Sequence, residues 1–366
     1  MEPFSLLLKP ASADCNLRCD YCFYLEKSSL YPGSGKRRMT DQTLRTVLER
    51  YFETTQPVYS MIWQGGEPTL MGESFYKRVV DLQKKLAPRG AHIANALQTN
   101  ATLIKNDLAA HLAKYRFLVG CSIDGPADLH DAHRRTRTRR NSHARAVQGV
   151  RTLQAAGVPV NAVVLVSATN VSAPLKVYRH LLELGIRHIQ FVPCVENDPS
   201  GKPLPFSIDG KTWGEFLLAV FEQWHAAHRG LVFIRNFDSV MAKMAGLADT
   251  ECRLCNRCDQ YLVVEHNGDV YPCDFYVGTE MKLGNVFYDS FEAMRERPLY
   301  SSFSTAKQSI PTGCTTCEHA SLCMGDCPKF RSGKQRQGVS ILCSGWQHFF
   351  QEARGRLELL VRDAVR

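Results

Sequence analysis

Cys15-Asn16-Leu17-Arg18-Cys19-Asp20-Tyr21-Cys22 places three cysteines within eight residues, at spacings of four and three. The stretch follows the apolar run Phe4–Leu8, so it reads as the loop after a first strand. Three thiolates this close can converge on one metal centre. A structural zinc or a fully ligated iron–sulfur cluster takes four protein ligands. A cluster held by three leaves one iron open. The competing reading is a zinc knuckle completed by a distant histidine such as His130 or His133.

Working outward, five more apolar, β-rich runs follow: Val58–Gln64, His92–Gln98, Phe117–Ser122, Val158–Val166 and His188–Val192. Helical patterns lie between them at Asp41–Phe52, Glu73–Leu86, Asn106–Tyr115, Ala144–Ala156 and Ala173–Leu184, with Asp41 as an N-cap and Gly185 as a C-cap. This alternation predicts βαβ units and a parallel α/β sheet, with six units making an open or partial barrel. Ligands of such sheets sit at the carboxyl ends of the strands. Polar motifs fall just there: QGGEP after the second run, QTN ending the third, SIDG ending the fourth.

After about residue 236 the alternation stops, and nine of the fourteen cysteines lie between Cys252 and Cys343. Residues 1–235 and 236–366 are therefore expected to be separate domains. Val263–Glu265 and Asp269–Tyr271 flank Asn267-Gly268, a hairpin signal, and Gly345–Val365 reads as a terminal helix. The 366 residues are 44% apolar and 22% charged, enough to bury a full core. No apolar run reaches the length of a membrane helix. Glu2 and Lys9-Pro10 do not suit a signal peptide, so a cytoplasmic location is expected, and with it metal rather than disulfides.

The string CNLRCDYCFY, with QGGEPTL, LQTN and SIDGP behind it, resembles the radical S-adenosylmethionine (SAM) superfamily. Within it, the likeness is to anaerobic sulfatase-maturating enzymes, which carry a C-terminal SPASM domain. It runs over nearly the whole chain. It implies a partial (β/α)6 TIM-like barrel followed by the cysteine-rich SPASM domain, with SAM and three [4Fe–4S] clusters as cofactors. Carried over residue by residue, Cys15, Cys19 and Cys22 hold the SAM-binding cluster and Tyr21 lies against the adenine. Gly65 and Gly66 approach the SAM amino group, with Gln64 and Glu67 as acceptors near it. Ser122 bonds ribose or carboxylate, Arg134 pairs with the carboxylate and Val195 contacts adenine. The reduced cluster splits SAM to a 5′-deoxyadenosyl radical.

The eight later cysteines make two four-thiolate sites, and spacing alone suits zinc as well as iron. The resemblance implies that Cys252, Cys258, Cys273 and Cys327 hold one auxiliary cluster, and Cys314, Cys317, Cys323 and Cys343 the other. Cys255 is an alternative ligand, whereas Cys121 and Cys194 read as small core residues. Three such centres carry about −5 and reduce the net charge of +9 to roughly +4, so the basic excess gives little reason to invoke nucleic acid.

Asp274, directly after Cys273, matches the family's proposed general base. By resemblance, the radical takes a hydrogen atom from Cβ of a Cys or Ser, Asp274 takes the thiol or hydroxyl proton, and an auxiliary cluster accepts the electron. The product is Cα-formylglycine, formed without oxygen. The implied partners are an unfolded or peptide-like sulfatase segment of the Cys/Ser-x-Pro-x-Arg type and a reducing protein such as flavodoxin or ferredoxin. A SPASM-type maturase of another ribosomal peptide is the alternative, disfavoured because such enzymes often carry an N-terminal extension and the first strand here begins by Phe4. A zinc-stabilised nucleic-acid binder using Arg134–Arg145 is the rival from another class.

Overall fold

The computed structural model describes residues 2–32, 35–248, 251–333 and 338–365. In chain order the elements are β1 (Ser5–Lys9), α1 (Asp41–Phe52), β2 (Tyr59–Trp63), α2 (Glu73–Leu86), β3 (Ile93–Thr99), α3 (Asn106–Lys114), β4 (Leu118–Ser122) and α4 (Ala127–His133). Next come α5 (His143–Ala155), β5 (Val160–Val166), α6 (Pro174–Glu183), β6 (His188–Pro193), α7 (Gly210–Ala227), β7 (Phe233–Ile234) and α8 (Arg235–Met244). The last third adds β8 (Tyr261–Glu265), β9 (Asp269–Tyr271), β10 (Gly284–Asn285), α9 (Phe291–Glu296), α10 (Pro298–Thr305), α11 (Ala320–Cys323) and α12 (Cys343–Val365). All six expected strands are present, with ends shifted by up to two residues.

The chain packs as two compact units, each drawn from three sequence segments. The first comprises residues 1–122, 133–160 and 258–304. Its strands run in the order β10-β9-β8-β1-β2-β3-β4. The stretch from β8 through β1 to β4 is parallel, and β9 and β10 turn back antiparallel. β1 is covered on both faces, so Leu6, Leu7 and Leu8 are all buried. The expected hairpin forms, but its first strand pairs parallel to β1 and so belongs to the same sheet.

Helix ends follow local chemistry. Thr40, not Asp41, caps α1: its backbone is extended and its hydroxyl accepts the Thr43 N–H at 3.0 Å. Asp41 is instead the first helical residue, where a negative charge meets the positive end of the helix dipole. Gly185 follows α6 in the left-handed region at φ 75°. Its N–H reaches the Leu182 carbonyl and the Ile186 N–H that of Leu181, a Schellman ending.

The second unit comprises residues 123–132, 161–257 and 305–366 and holds the parallel set β5-β6-β7. Its core is aromatic: Trp213, Phe216, Phe221 and Trp224 of α7 meet Phe237 of α8 and Trp346 and Phe349 of α12. At Gly210 and Gly214 the backbone of α7 lies against Gly345 of α12, so closely that a Cβ on any of the three would collide. Among the described residues no helix is long and apolar enough to cross a membrane.

Candidate active site

The three-cysteine loop leaves β1 and is pinned from several sides. Asn16 donates to Thr102 Oγ1 at 2.8 Å and accepts from Asn100 Nδ2 at 2.9 Å. The Arg18 N–H donates to the Arg135 carbonyl at 2.7 Å, and Leu17 forms a β-bridge with Thr136. Cys15 Sγ accepts from the Leu17 N–H at 3.3 Å and from Asn100 Nδ2 at 3.7 Å. Burial, then the nearby Glu67 carboxylate, pushes the Cys15 thiol up to about 12, and burial raises Cys22 as well. Without a cation these are protonated thiols, and metal binding displaces the protons. A soft donor set with N–H groups already aimed at sulfur fits an iron–sulfur cluster. Among the described residues no three His, Cys, Asp or Glu side chains close a single-ion cage.

The Gly65-Gly66 turn after β2 leans on the residues just before Cys15. The Glu67 N–H donates to the Asp14 carbonyl at 2.8 Å. Gly65 and Gly66 have φ of 102° and 34°, and a Cβ on Gly66 would run into the Asp14 carbonyl. Gly66→Ala is expected to lower the unfolding free energy by about 1–3 kcal/mol. The check is the urea midpoint; an unchanged midpoint would mean that the turn relaxes without cost.

Glu67, read from the sequence as an acceptor for ligand, is fully buried and already carries four donors. These are the Thr69 N–H and hydroxyl, the Thr99 hydroxyl and the Asn100 N–H, at 2.5–3.0 Å. It ties the glycine turn to the end of β3. Ser122, ending β4, accepts from Gln98 Nε2 at 3.1 Å. Tyr21 is buried beside His133, with the Arg134 guanidinium 5.5 Å from its ring centre. Arg134 also exerts its charge on the Cys22 thiol. Tyr21, Cys22, Gly66, Ser122 and Arg134 thus all lie in the first unit, whereas Val195 lies in the second, just after β6.

A second cluster was not foreseen. Lys9 ends β1 and is 1% exposed; its register partner is Glu265 at the end of β8, which is 0% exposed. The Lys9 ammonium lies 3.8 Å from Asp274 Oδ2 and 4.3 Å from the centre of the Tyr24 ring. The Tyr24 hydroxyl donates to Glu265 Oε1 at 2.5 Å. Asp274 Oδ1 accepts from the Tyr261 hydroxyl at 3.1 Å. Burial pulls the Lys9 ammonium below its ordinary range, while Asp274, Glu265, Cys273 and Cys22 oppose the shift. Lys9 therefore stands within electrostatic reach of both the three-cysteine loop and Asp274. The only sequence signal was a charged residue closing each of two apolar strands, LLLK and LVVE.

In the second unit, Cys314, Cys317, Cys323 and Cys343 act on one another electrostatically. Burial raises the thiols of Cys314 and Cys343 and pushes Cys323 up to about 12, with neighbouring thiols adding to each shift. Of the other set, Cys258 and Cys273 lie in the first unit and Cys252 and Cys327 in the second. Cys255 is buried, with Sγ donating to the Glu251 carbonyl at 3.5 Å. Cys121 and Cys194 are buried at strand ends, as expected of small core residues.

Residues 10–187 match the radical SAM superfamily and residues 249–318 an iron–sulfur cluster-binding SPASM domain, so the fold is that of a radical SAM enzyme with a SPASM extension. A serine-type anaerobic sulfatase-maturating enzyme of Bacteroides thetaiotaomicron is 35% identical over 100% of this chain and 92% of its own length. A cysteine-type enzyme of Clostridium perfringens is 31% identical over 98% of both. The solved structure of native anSMEcpe with bound AdoMet and Cp18Cys peptide superposes with a TM-score of 0.92, at 30% identity, over 99% of this chain and 100% of that one. The chain belongs to the anaerobic sulfatase-maturating enzyme family.

Proposed function

We propose that this protein oxidises a cysteine or serine side chain of a sulfatase, presented as an unfolded or peptide-like segment, to Cα-formylglycine without oxygen. Full-length likeness to both serine-type and cysteine-type relatives supports the reaction. The observation that carries the assignment to this chain's own residues is Lys9, buried between the three-cysteine loop and Asp274.

Cys15, Cys19 and Cys22 would hold the SAM-binding cluster in the barrel of residues 1–235, with Tyr21, Gly66, Ser122, Arg134 and Val195 around SAM. Cys252, Cys258, Cys273 and Cys327 would hold one auxiliary cluster of the 236–366 domain, and Cys314, Cys317, Cys323 and Cys343 the other. When bound, SAM and its cluster supply an electron and a hydrogen-abstracting radical. Asp274 receives the proton of the substrate thiol or hydroxyl. Lys9 and Tyr261 fix the carboxylate from either side.

A Cys-x-Pro-x-Arg peptide incubated anaerobically with protein, SAM and reductant should exchange sulfur for oxygen and lose two hydrogens, as read by mass spectrometry. The aldehyde should then trap with a hydrazine. A Ser-containing peptide should lose two hydrogens only. SAM cleavage with both peptides unchanged would overturn the sulfatase reading and favour maturation of another ribosomal peptide.

A further inference from the structure

Residues 14–38 and 134–140 carry ten Lys and Arg against three Asp and Glu, most of the chain's net charge of +9. About a hundred residues apart in sequence, their described parts meet in the first unit. The Leu17–Thr136 bridge and the Arg18–Arg135 backbone bond join them. Arg137 Nε donates to the Cys15 carbonyl at 3.1 Å, and a further bridge from Arg135 to Asn141 closes the basic segment into a turn. The arginine run that reads as a solvated face is thereby clamped onto the three-cysteine loop.

A cavity of about 490 Å³ opens here, lined by Cys15, Leu25, Leu70, Lys36, Arg38 and Arg137 among others. Asp14 holds Arg37 and Arg38 at 3.3 and 2.7 Å, which presets two of the cations, while Lys36 and Arg137 are exposed. Its lining mixes the apolar Leu25 and Leu70 with four cations, Lys36, Arg37, Arg38 and Arg137. No aromatic residue lines the cavity, so it lacks the stacking platform of a single-strand nucleic-acid site.

We propose that this surface docks an acidic, low-potential electron-transfer protein. It rests on the reading of Cys15, Cys19 and Cys22 as cluster ligands. The electron that starts each turnover is delivered to that loop, and opposite charge steers an encounter close to it. One electron would pass per encounter, from the donor to the cluster that Cys15, Cys19 and Cys22 would hold, and no atom is transferred.

The test pairs Lys36→Glu with Arg140→Glu, both exposed and neither a residue of the SAM site or of the three-cysteine loop. Binding of oxidised flavodoxin to the full-length, cluster-loaded protein is measured at low and high salt by surface plasmon resonance. The double variant should bind about tenfold or more weakly, with a shallower salt dependence. SAM cleavage driven by reduced flavodoxin should fall in parallel, and cleavage driven by reduced methyl viologen, a small cation, should not. Unchanged flavodoxin affinity, or equal losses with the two reductants, overturns the docking surface. So does loss of single-stranded RNA binding in the variant with flavodoxin binding intact. Failure of the wild-type protein to cleave SAM with methyl viologen overturns the cluster reading instead.

Discussion

The Cys15→Ala/Cys19→Ala/Cys22→Ala triple variant is expected to cleave no SAM while keeping about eight of about twelve irons per chain. The loss should be complete because no other group in the loop offers a soft anionic donor. It should not be an unfolding effect. The loop is fixed by Asn16, by the Leu17–Thr136 bridge and by the Arg18 N–H, none of which involves a cysteine side chain. Iron is counted colorimetrically after anaerobic reconstitution, and SAM cleavage is followed as 5′-deoxyadenosine. Residual cleavage, or retention of all the iron, contradicts the ligand assignment. Stoichiometric zinc in the wild-type protein contradicts the cluster itself.

Asp274→Asn should lower aldehyde formation by about a hundredfold or more while SAM cleavage continues. Asparagine keeps the shape and can still accept from the Tyr261 hydroxyl. It removes the proton acceptor and leaves the Lys9 ammonium without its carboxylate at 3.8 Å. Because the proton is taken after the radical has formed, 5′-deoxyadenosine should accumulate without matching aldehyde. The ratio of the two products is the diagnostic quantity. A variant that keeps the wild-type ratio and rate removes Asp274 from the chemistry. One that loses both products alike makes Asp274 part of the structure of the loop.

The first strand was legible because a parallel strand covered on both faces is apolar throughout, as LLL in β1 is. The pairing of β8 with β1 was not legible, since nothing local marks a partner some 250 residues away. Helix α7 escaped notice for a physical reason. Gly210 and Gly214 weaken its helical signal, and they are there because Gly345 approaches too closely for any side chain. Of the candidate site, the cysteine spacing leaves a local trace, whereas Asp274 is singled out by the resemblance alone. Lys9, Tyr24 and Glu265 act through burial and register, which only the assembled sheet defines.

The parallel seam between β1 and β8 also governs how this chain can be cut and recombined. A fragment ending before Tyr261 would leave one edge of β1 without its partner, exposing backbone donors and acceptors on a strand of buried leucines. The cysteine-rich part is therefore no detachable cassette. Chimaeras between relatives should keep residues 5–9 and 261–265 from the same parent, because Lys9 and Glu265 meet across that seam.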